Sequence, residues 1–187
     1  MEKKIWFSSD CHFGHSKEFL WGPRGFKSSQ EHDETIIKNW NEVVSPQDEV
    51  YLLGDIMLED NDYGIKCLQQ LNGQIHIIRG NHDSEARIAL YKTCANIVEV
   101  CDAKQLKLGK HHFYCCHYPV ITANFDDDKP WAQHLINLFG HTHQQTKFYN
   151  DNPYMYCVGL DAHNNYPVKL EQIIEDIRDK KLSLDKQ

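Results

Sequence analysis

The sequence predicts an α/β fold built from two packed sheets with helices on their flanks. In the first half of the chain, strand and helix patterns alternate three times, which indicates a largely parallel sheet. In the second half, strand-like runs dominate, and two of them meet across Gly109-Lys110, a pair that suits a two-residue hairpin. A length of 187 residues, 41% of them hydrophobic and 25% charged, suits a single globular domain over residues 1–187.

The first half consists of three predicted strand–helix units. Strands are predicted over residues 4–9, 49–53 and 75–79. Ser28-x-x-Glu31 is typical of a capping box and predicts the start of a long helix that ends at Ser45-Pro46. Its apolar face carries Ile36, Ile37, Trp40, Val43 and Val44. A second helix is predicted over residues 63–71, and Ser84 predicts the start of a third that runs to residue 91.

The second half is predicted to be mostly strands, followed by a helix. The strands cover residues 97–102, 104–108, 111–116, 135–139 and 154–160. The helix follows from the apolar stripe Leu170, Ile173, Ile174 and Ile177. Two loops are also predicted: residues 13–26, which contain Gly and Pro breakers, and the acidic run 126–128, where a solvated loop and a further metal site are the alternatives.

Charge and cysteine content exclude several classes of protein. A formal net charge of -7 disfavours tight, nonspecific binding to a nucleic-acid backbone, which needs clustered Lys and Arg. The seven cysteines are odd in number and contain no CxxC pair, so we expect reduced thiols in a reducing compartment. The N-terminus lacks the apolar core of a signal peptide, and no apolar run approaches membrane-spanning length. The expected location is the cytoplasm, without membrane association.

Five short hydrophobic runs each end in residues that bind metals. The runs are followed by Asp10-Cys11-His12, Gly54-Asp55, Gly80-Asn81-His82-Asp83, His117 and Gly140-His141-Thr142-His143. Ligands just beyond strand ends occupy the usual position of sites in open α/β sheets. Carboxylates, imidazoles and an amide gathered there are what a two-metal hydrolytic site needs.

Several of these residues have a structural alternative. Gly54-Asp55 after a strand is often a simple turn. Asn81 is expected to be a left-handed turn residue, a ligand or both. His141 and His143 alternate and would share one face of an extended segment, whereas the side chain of Cys11 is expected to point into the sheet. Only as an ordered series do the motifs favour ligation over turn formation.

The ordered series resembles the signature of the calcineurin-like metallophosphoesterase superfamily. The small size and the opening Asp-x-His-Phe-Gly-His are most similar to its compact bacterial and phage members. The resemblance implies a four-layer α/β/β/α sandwich of two mixed sheets flanked by helices, with a dinuclear metal site. It assigns Asp10, His12 and His143 to the first metal, Asn81, His117 and His141 to the second, Asp55 to a bridge between them, and His82 to the substrate side.

The resemblance also implies a cofactor and a mechanism. Two divalent metal ions are expected; carboxylate oxygen with imidazole nitrogen favours Mn²⁺, with Fe, Zn²⁺ or Ni²⁺ as alternatives. A hydroxide shared by the metals would attack phosphorus, and His82 would protonate the leaving group. Asp83 is expected either to orient His82 or to cap the next helix. His15 and Arg24 are candidate contacts to the substrate phosphate; the alternative for both is an exposed loop charge.

The predicted function is hydrolysis of phosphodiesters, with a small phosphoester or nucleotide as substrate. Phosphoprotein phosphatases of the superfamily carry Gly-Asp-x-x-Asp-Arg-Gly, whereas here Gly54-Asp55 continues as Ile-Met-Leu-Glu. Alternatives are a phosphomonoesterase or a nuclease of the same superfamily, and a non-catalytic scaffold of the same fold. A scaffold protein of the superfamily shares the fold but lacks the catalytic histidine, whereas this chain has His82 at that position.

Overall fold

A computed structural model of the chain describes residues 3–122, 130 and 133–184. The strands are β1 Ile5–Ser8, β2 Glu49–Leu52, β3 Gln74–Ile78, β4 Ile97–Cys101, β5 Ala103–Leu108, β6 His111–Cys116, β7 Leu135–Phe139, β8 Met155–Cys157 and β9 Val168–Lys169. The helices are α1 Glu18–Trp21, α2 Ser29–Val43, α3 Asn61–Gln69, α4 Glu85–Tyr91 and α5 Leu170–Leu184. The acidic run 126–128, predicted to be a loop, lies outside the described residues.

The first sheet has the strand order β4-β3-β2-β1-β9, with β9 antiparallel to β1 and the other neighbours parallel. The alternating strand–helix pattern produces it, because each helix returns the chain to start the next parallel strand. The predicted capping box is present in part. Ser28 Oγ accepts a hydrogen bond from Glu31 N, but the Glu31 carboxylate accepts one from Lys27 N and not from Ser28 N. Trp40 on α2 is fully buried in the core between the helices and this sheet.

The second sheet has the order β5-β6-β7-β8, and β5 and β6 form the predicted hairpin across Gly109-Lys110. A second core fills the space between the sheets, with Phe7, Leu53, Phe113 and Leu138 nearly or fully buried. Burying each such side chain contributes about 1.5–3 kcal/mol. The predicted architecture of two mixed sheets with flanking helices is therefore confirmed.

Some boundaries differ from the prediction. The strand expected over residues 154–160 is shorter, because Leu160–His163 forms a 3₁₀ turn after β8. The segment expected to be a loop after β1 contains the short helix α1. The two-residue strand β9 was not predicted; its pairing with β1 leads directly into α5, whose Ile173 and Ile177 join the core between the sheets.

Two sequence predictions about side chains are confirmed. All seven cysteines are free thiols. The side chain of Cys11 is fully buried in the core under the helices, and burial raises the pKa of its thiol.

Within the described residues, no helix has both the length and the hydrophobicity that crossing a bilayer requires.

Backbone hydrogen bonds join the loops that follow the strands of both sheets. Asp10 N donates to Gly54 O at 3.0 Å, and Gly140 N donates to His117 O at 3.0 Å. Leu160 N donates to Ser9 O at 3.3 Å, which links the loop after β8 to the loop after β1. Because these strands end at neighbouring positions, the five ligand-bearing segments predicted from sequence converge on one edge of the two sheets.

Candidate metal centre

After β1, β2 and β7 the backbone adopts a conformation that non-glycine residues rarely adopt. Five predicted ligands have positive φ: Asp10 at 62°, His12 at 49°, Asp55 at 54°, His141 at 68° and His143 at 48°. Such conformations cost on the order of 1–3 kcal/mol each and cluster at functional sites. They turn the side chains away from the strand directions and towards one another.

Two glycines of the motifs are required by close approach of the ligand carboxylates. A Cβ at Gly140 would lie 1.9 Å from Ser9 Oγ and 2.4 Å from Asp10 Oδ2. A Cβ at Gly80 would lie 2.3 Å from Asp55 Oδ1. A side chain at Gly140 or Gly80 would clash with these atoms. Glycine is therefore needed before His141 and before Asn81 for the loops to approach this closely.

Six predicted ligands form two groups. The Asp10 group consists of Asp10, His12 and His143, and the Asp55 group consists of Asp55, His117 and His141; within each group the ligand atoms lie within 4.8 Å of one another. Asp55 Oδ2 also lies 3.7 Å from His12 Nε2 and 3.4 Å from His117 Nε2, so this carboxylate stands between the groups. The longer of these separations exceeds hydrogen-bonding distance. Atoms that share one ion at about 2.0–2.3 Å are separated by about 3–4 Å, a range that includes both Asp55 separations.

Asn81 and His82 lie at the mouth of the centre. Asn81 Oδ1 is 3.0 Å from His117 Nε2, which places the amide beside the Asp55 group. Its φ is not positive, so of the alternatives for Asn81 the left-handed turn residue is wrong, and the ligand role stays a prediction. His82 N donates to Asp55 Oδ1 at 2.9 Å, its Nε2 lies 3.9 Å from Asp55 Oδ2, and its side chain is 43% exposed.

His12 shows most directly that the residues fit a cation. Both of its ring nitrogens are buried, and neither has a hydrogen-bond partner within the described part of the chain. Burial lowers the pKa of His12 well below its usual value, so the ring is neutral and keeps a free lone pair. A buried polar atom without a partner costs about 1–3 kcal/mol, a cost that a bound cation removes.

His117 and Asp55 form a strongly coupled pair. His117 Nδ1 donates to Leu53 O at 2.7 Å, which fixes the ring so that Nε2 faces Asp55. Burial opposes ionisation of both groups, but their mutual hydrogen bond and charge raise the pKa of His117 to about 9 and lower the pKa of Asp55 to about 2. Asp55 is therefore a carboxylate at neutral pH, and a cation bound there would displace the proton of His117.

His143 is held by a buried ion pair that the sequence analysis did not foresee. Its Nδ1 lies 3.1 Å from Asp161 Oδ2, and Arg24 bonds both oxygens of Asp161, through Nε at 3.0 Å and Nη2 at 2.7 Å. Burial would raise the pKa of Asp161, but the hydrogen bonds of His143 and Arg24 outweigh it and lower that pKa. Asp161 thus fixes the orientation of His143 from behind, as carboxylates commonly do for metal-binding imidazoles.

Asp161 could have been found by the same signal as the other ligands. It follows the hydrophobic run of residues 154–160, as Asp10 and Asp55 follow theirs. It follows Leu160 directly, without the preceding glycine that marked Asp55, Asn81 and His141. Its partner Arg24 is 137 residues away in sequence, so their pairing has no local signature.

Arg24 is placed differently from the prediction that it contacts substrate phosphate. Its side chain is only 1% exposed. Besides Asp161, it bonds Asp10 O at 2.8 Å and His32 Nε2 at 2.9 Å. A guanidinium this deeply buried, and engaged by Asp161, Asp10 O and His32, is not accessible to a substrate, so Arg24 positions the loop after β1 instead.

Asp83 neither orients His82 nor caps α4, so both predicted roles are wrong. Its carboxylate accepts hydrogen bonds from Asp55 N at 2.9 Å, Gly80 N at 2.8 Å and Tyr91 Oη at 2.6 Å. The cap of α4 is Ser84, the residue predicted from sequence. The buried Asp83 carboxylate ties together the loops that follow β2 and β3, because both carry backbone N–H groups that need an acceptor.

His15 lies near the centre, as a substrate contact must. Its ring centroid is 6.1 Å from that of His12, and the residue is 6% exposed. Burial lowers the pKa of His15, and its Nδ1 accepts a hydrogen bond from Lys17 N at 3.3 Å. A neutral ring whose Nδ1 accepts carries its proton on Nε2, which is a suitable donor to a phosphoryl oxygen.

Comparisons with known proteins agree with this geometry. The sequence model of the calcineurin-like phosphoesterase superfamily domain matches residues 4–159. The chain is 32% identical over 181 residues to an uncharacterized protein of Methanocaldococcus jannaschii, which covers 92% of this chain and 90% of that protein. It is 38% identical over 160 residues to the gene 66 protein of Mycobacterium phage L5, and this alignment covers 74% of this chain and 76% of the phage protein. A crystal structure of a protein of unknown function from Aquifex aeolicus shares the fold, with a TM-score of 0.70 at 21% identity over 93% of this chain and 99% of that one.

Proposed function

The chain belongs to the calcineurin-like phosphoesterase superfamily, and on that basis we propose that it is a phosphodiesterase that depends on two divalent metal ions and acts on small or nucleotide-type substrates. The observation that carries the proposal is the position of Asp55. Its Oδ2 lies within 3.7 Å of a ring nitrogen from each of His12 and His117, which belong to different ligand groups. One carboxylate between two sets of ligands is what a pair of neighbouring cations needs.

The donor set suits transition-metal ions. Asp10, His12 and His143 would hold one ion, Asn81, His117 and His141 the other, and Asp55 both. Mixed carboxylate, amide and imidazole donors favour Mn²⁺, with Fe, Zn²⁺ and Ni²⁺ as alternatives. When bound, such ions supply positive charge for the phosphoryl oxygens and lower the pKa of water, which is the source of the nucleophile in this class of hydrolase.

His82 is the residue best placed to give a proton to the leaving oxygen. It is exposed at the mouth, and its Nε2 lies 3.9 Å from Asp55 Oδ2, at the edge of the ligand set. A general acid in this position contributes about 10²–10⁴-fold to the rate. The Nε2 proton of His15 would hold a non-bridging oxygen on the same side, since the rings of His15 and His82 both neighbour that of His12.

A diester suits the charges at the site better than a monoester. A monoester dianion calls for more positive charge than a diester, yet the Arg24 guanidinium is buried against Asp161 and Asp10 O, and Arg79 shares its charge with Glu85, which lies 2.5 Å from Arg79 Nη1. The net charge of -7 disfavours long nucleic acids as substrates. The seven free thiols suit a reducing compartment, so we place the enzyme in the cytoplasm.

A metal-reconstitution screen tests the proposal. Chelator-treated protein would be loaded with Mn²⁺, Fe²⁺, Zn²⁺ or Ni²⁺ and assayed on bis(p-nitrophenyl) phosphate, p-nitrophenyl phosphate and cyclic nucleotides. We expect metal-dependent diester hydrolysis, with kcat reduced at least 100-fold in His82→Asn while substrate binding is retained. His112→Asn, on the β5–β6 hairpin, serves as the control. Full activity of the chelated protein would disprove the metal requirement, and wild-type kcat in His82→Asn would disprove the acid role.

A further inference from the structure

Two exposed aromatic side chains flank the metal centre on different sides. Phe19 is 73% exposed, and its ring packs against that of His15 in a T-shaped arrangement with the ring centroids 5.2 Å apart. The ring of His15 in turn neighbours that of His12, a member of the Asp10 group. Tyr118 is 47% exposed, and its ring lies 4.9 Å from that of His141 in the Asp55 group. Each ligand group therefore has its own aromatic neighbour, and both of these side chains are exposed to solvent.

Each aromatic side chain borders a cleft that ends on a ligand group. The Phe19 cleft has a volume of about 240 Å³ and is lined by Phe19, Leu20, Pro23, His143 and Asp161. Its outer wall is apolar, and its inner end is His143.

The Tyr118 cleft has a volume of about 440 Å³, and Tyr118, His117 and Asn81 lie along it. Arg79 and Asp102 also line it, so this cleft presents charged groups of both signs, whereas three of the five residues that line the Phe19 cleft are apolar. The two clefts thus border different ligand groups and differ in polarity.

We propose that the two clefts are subsites for the two ester arms of a phosphodiester, with an aromatic ring stacked on Phe19 in one and on Tyr118 in the other. The inference rests on the proposed function and names its substrate class: diesters with a ring on each arm, as in a nucleotide diester. A diester carries two substituents on phosphorus, whereas a monoester would leave one cleft empty. Stacking on an aromatic face tolerates any base, and the polar Tyr118 cleft suits the ring whose edge carries donors and acceptors.

The test compares two diesters with the same leaving group. Bis(p-nitrophenyl) phosphate has a ring on both arms, and methyl p-nitrophenyl phosphate has a ring on only one. With Mn²⁺-loaded wild type, we expect KM to be about tenfold lower for the first, equivalent to about 1.4 kcal/mol. Phe19→Ala and Tyr118→Ala are each expected to raise KM for bis(p-nitrophenyl) phosphate about tenfold, with kcat within twofold.

Three further measurements separate stacking from a structural effect. Phe19→Tyr restores a ring and is expected to rescue the low KM that Phe19→Ala loses. Leu182→Ala, an exposed apolar position on α5, is the control and keeps the wild-type KM. In the His82→Asn background, equilibrium dialysis should show the dissociation constant of bis(p-nitrophenyl) phosphate rising by the same factor in the alanine variants.

The outcomes distinguish this inference from the proposed function. If wild type hydrolyses neither diester with any metal, the proposed function fails, and the subsites fail with it. If wild type hydrolyses both but either alanine variant keeps the wild-type KM, the two-subsite inference is wrong while the proposed function stands. A KM raised equally by Leu182→Ala would also overturn it.

Discussion

Replacing Asp161 with Asn is expected to weaken both the folded state and the Asp10 group. The substitution keeps the side-chain shape but removes the charge that Arg24 and His143 face. Arg24 is 1% exposed and donates to both oxygens of Asp161, at 3.0 and 2.7 Å. An Asn side chain offers only one acceptor oxygen, and its NH₂ group would meet another donor on the other side.

The size of the effect follows from this burial. Removing one partner of a buried ion pair typically costs about 3–5 kcal/mol. Arg24 keeps its bonds to Asp10 O and His32, and Asn keeps one acceptor, so we expect the lower end, about 3 kcal/mol. In a protein of this length, that lowers Tm by about 6–12 °C. Loss of the carboxylate behind His143 should weaken metal binding by about 10–100-fold.

Thermal unfolding of the metal-free protein and calorimetric titration with Mn²⁺ measure the two effects separately. Asp179→Asn is the matched control, because Asp179 pairs with Arg178 on the exposed face of α5 and should change stability by less than about 0.5 kcal/mol. If Asp161→Asn had the Tm and the Mn²⁺ affinity of wild type, the assigned role of the Arg24–Asp161–His143 chain would be wrong.

Three further outcomes are expected. The pKa of His117 is raised to about 9, and a ligating imidazole must be neutral, so Mn²⁺ affinity should rise with pH and level off above about 9. Calorimetry at pH 7.5 in buffers of different ionisation enthalpy should detect the proton that metal binding releases. Gly140→Ala should destabilise the fold by about 1–3 kcal/mol or more in urea unfolding, whereas Gly109→Ala, which meets nothing within 4 Å, should cost only its backbone strain of about 1 kcal/mol. Tyr91→Phe, which leaves Asp83 without its buried hydroxyl donor, should cost about 1–3 kcal/mol and leave KM unchanged, since Asp83 keeps its hydrogen bonds from Asp55 N and Gly80 N.

The residues at strand ends could be predicted because each motif is local. A hydrophobic run followed by Asp, Asn or His identifies both a strand and the residue just past it, and parallel strands bring those ends to one edge. The same reasoning gives the hairpin at Gly109-Lys110 and the cap at Ser28, since turn and cap chemistry is decided within a few residues.

Other features depend on contacts between distant segments, which no local pattern encodes. Arg24 was a candidate substrate contact, with an exposed loop charge as the alternative, because it lies in the loop after the first ligands. Only the folded chain shows Asp161 beside it. Asp83 follows His82 in sequence, yet its carboxylate serves the backbone of Asp55. The strand β9 has two residues, too few for an alternating pattern, and exists because β1 offers it an unpaired edge.

The central claim, two cations joined by Asp55, is tested most directly by anomalous diffraction from crystals grown with excess Mn²⁺. We expect two anomalous peaks per chain, one bounded by Asp10, His12 and His143 and the other by Asn81, His117 and His141, both adjacent to Asp55. A single peak, or peaks remote from Asp55, in fully loaded crystals would contradict the account.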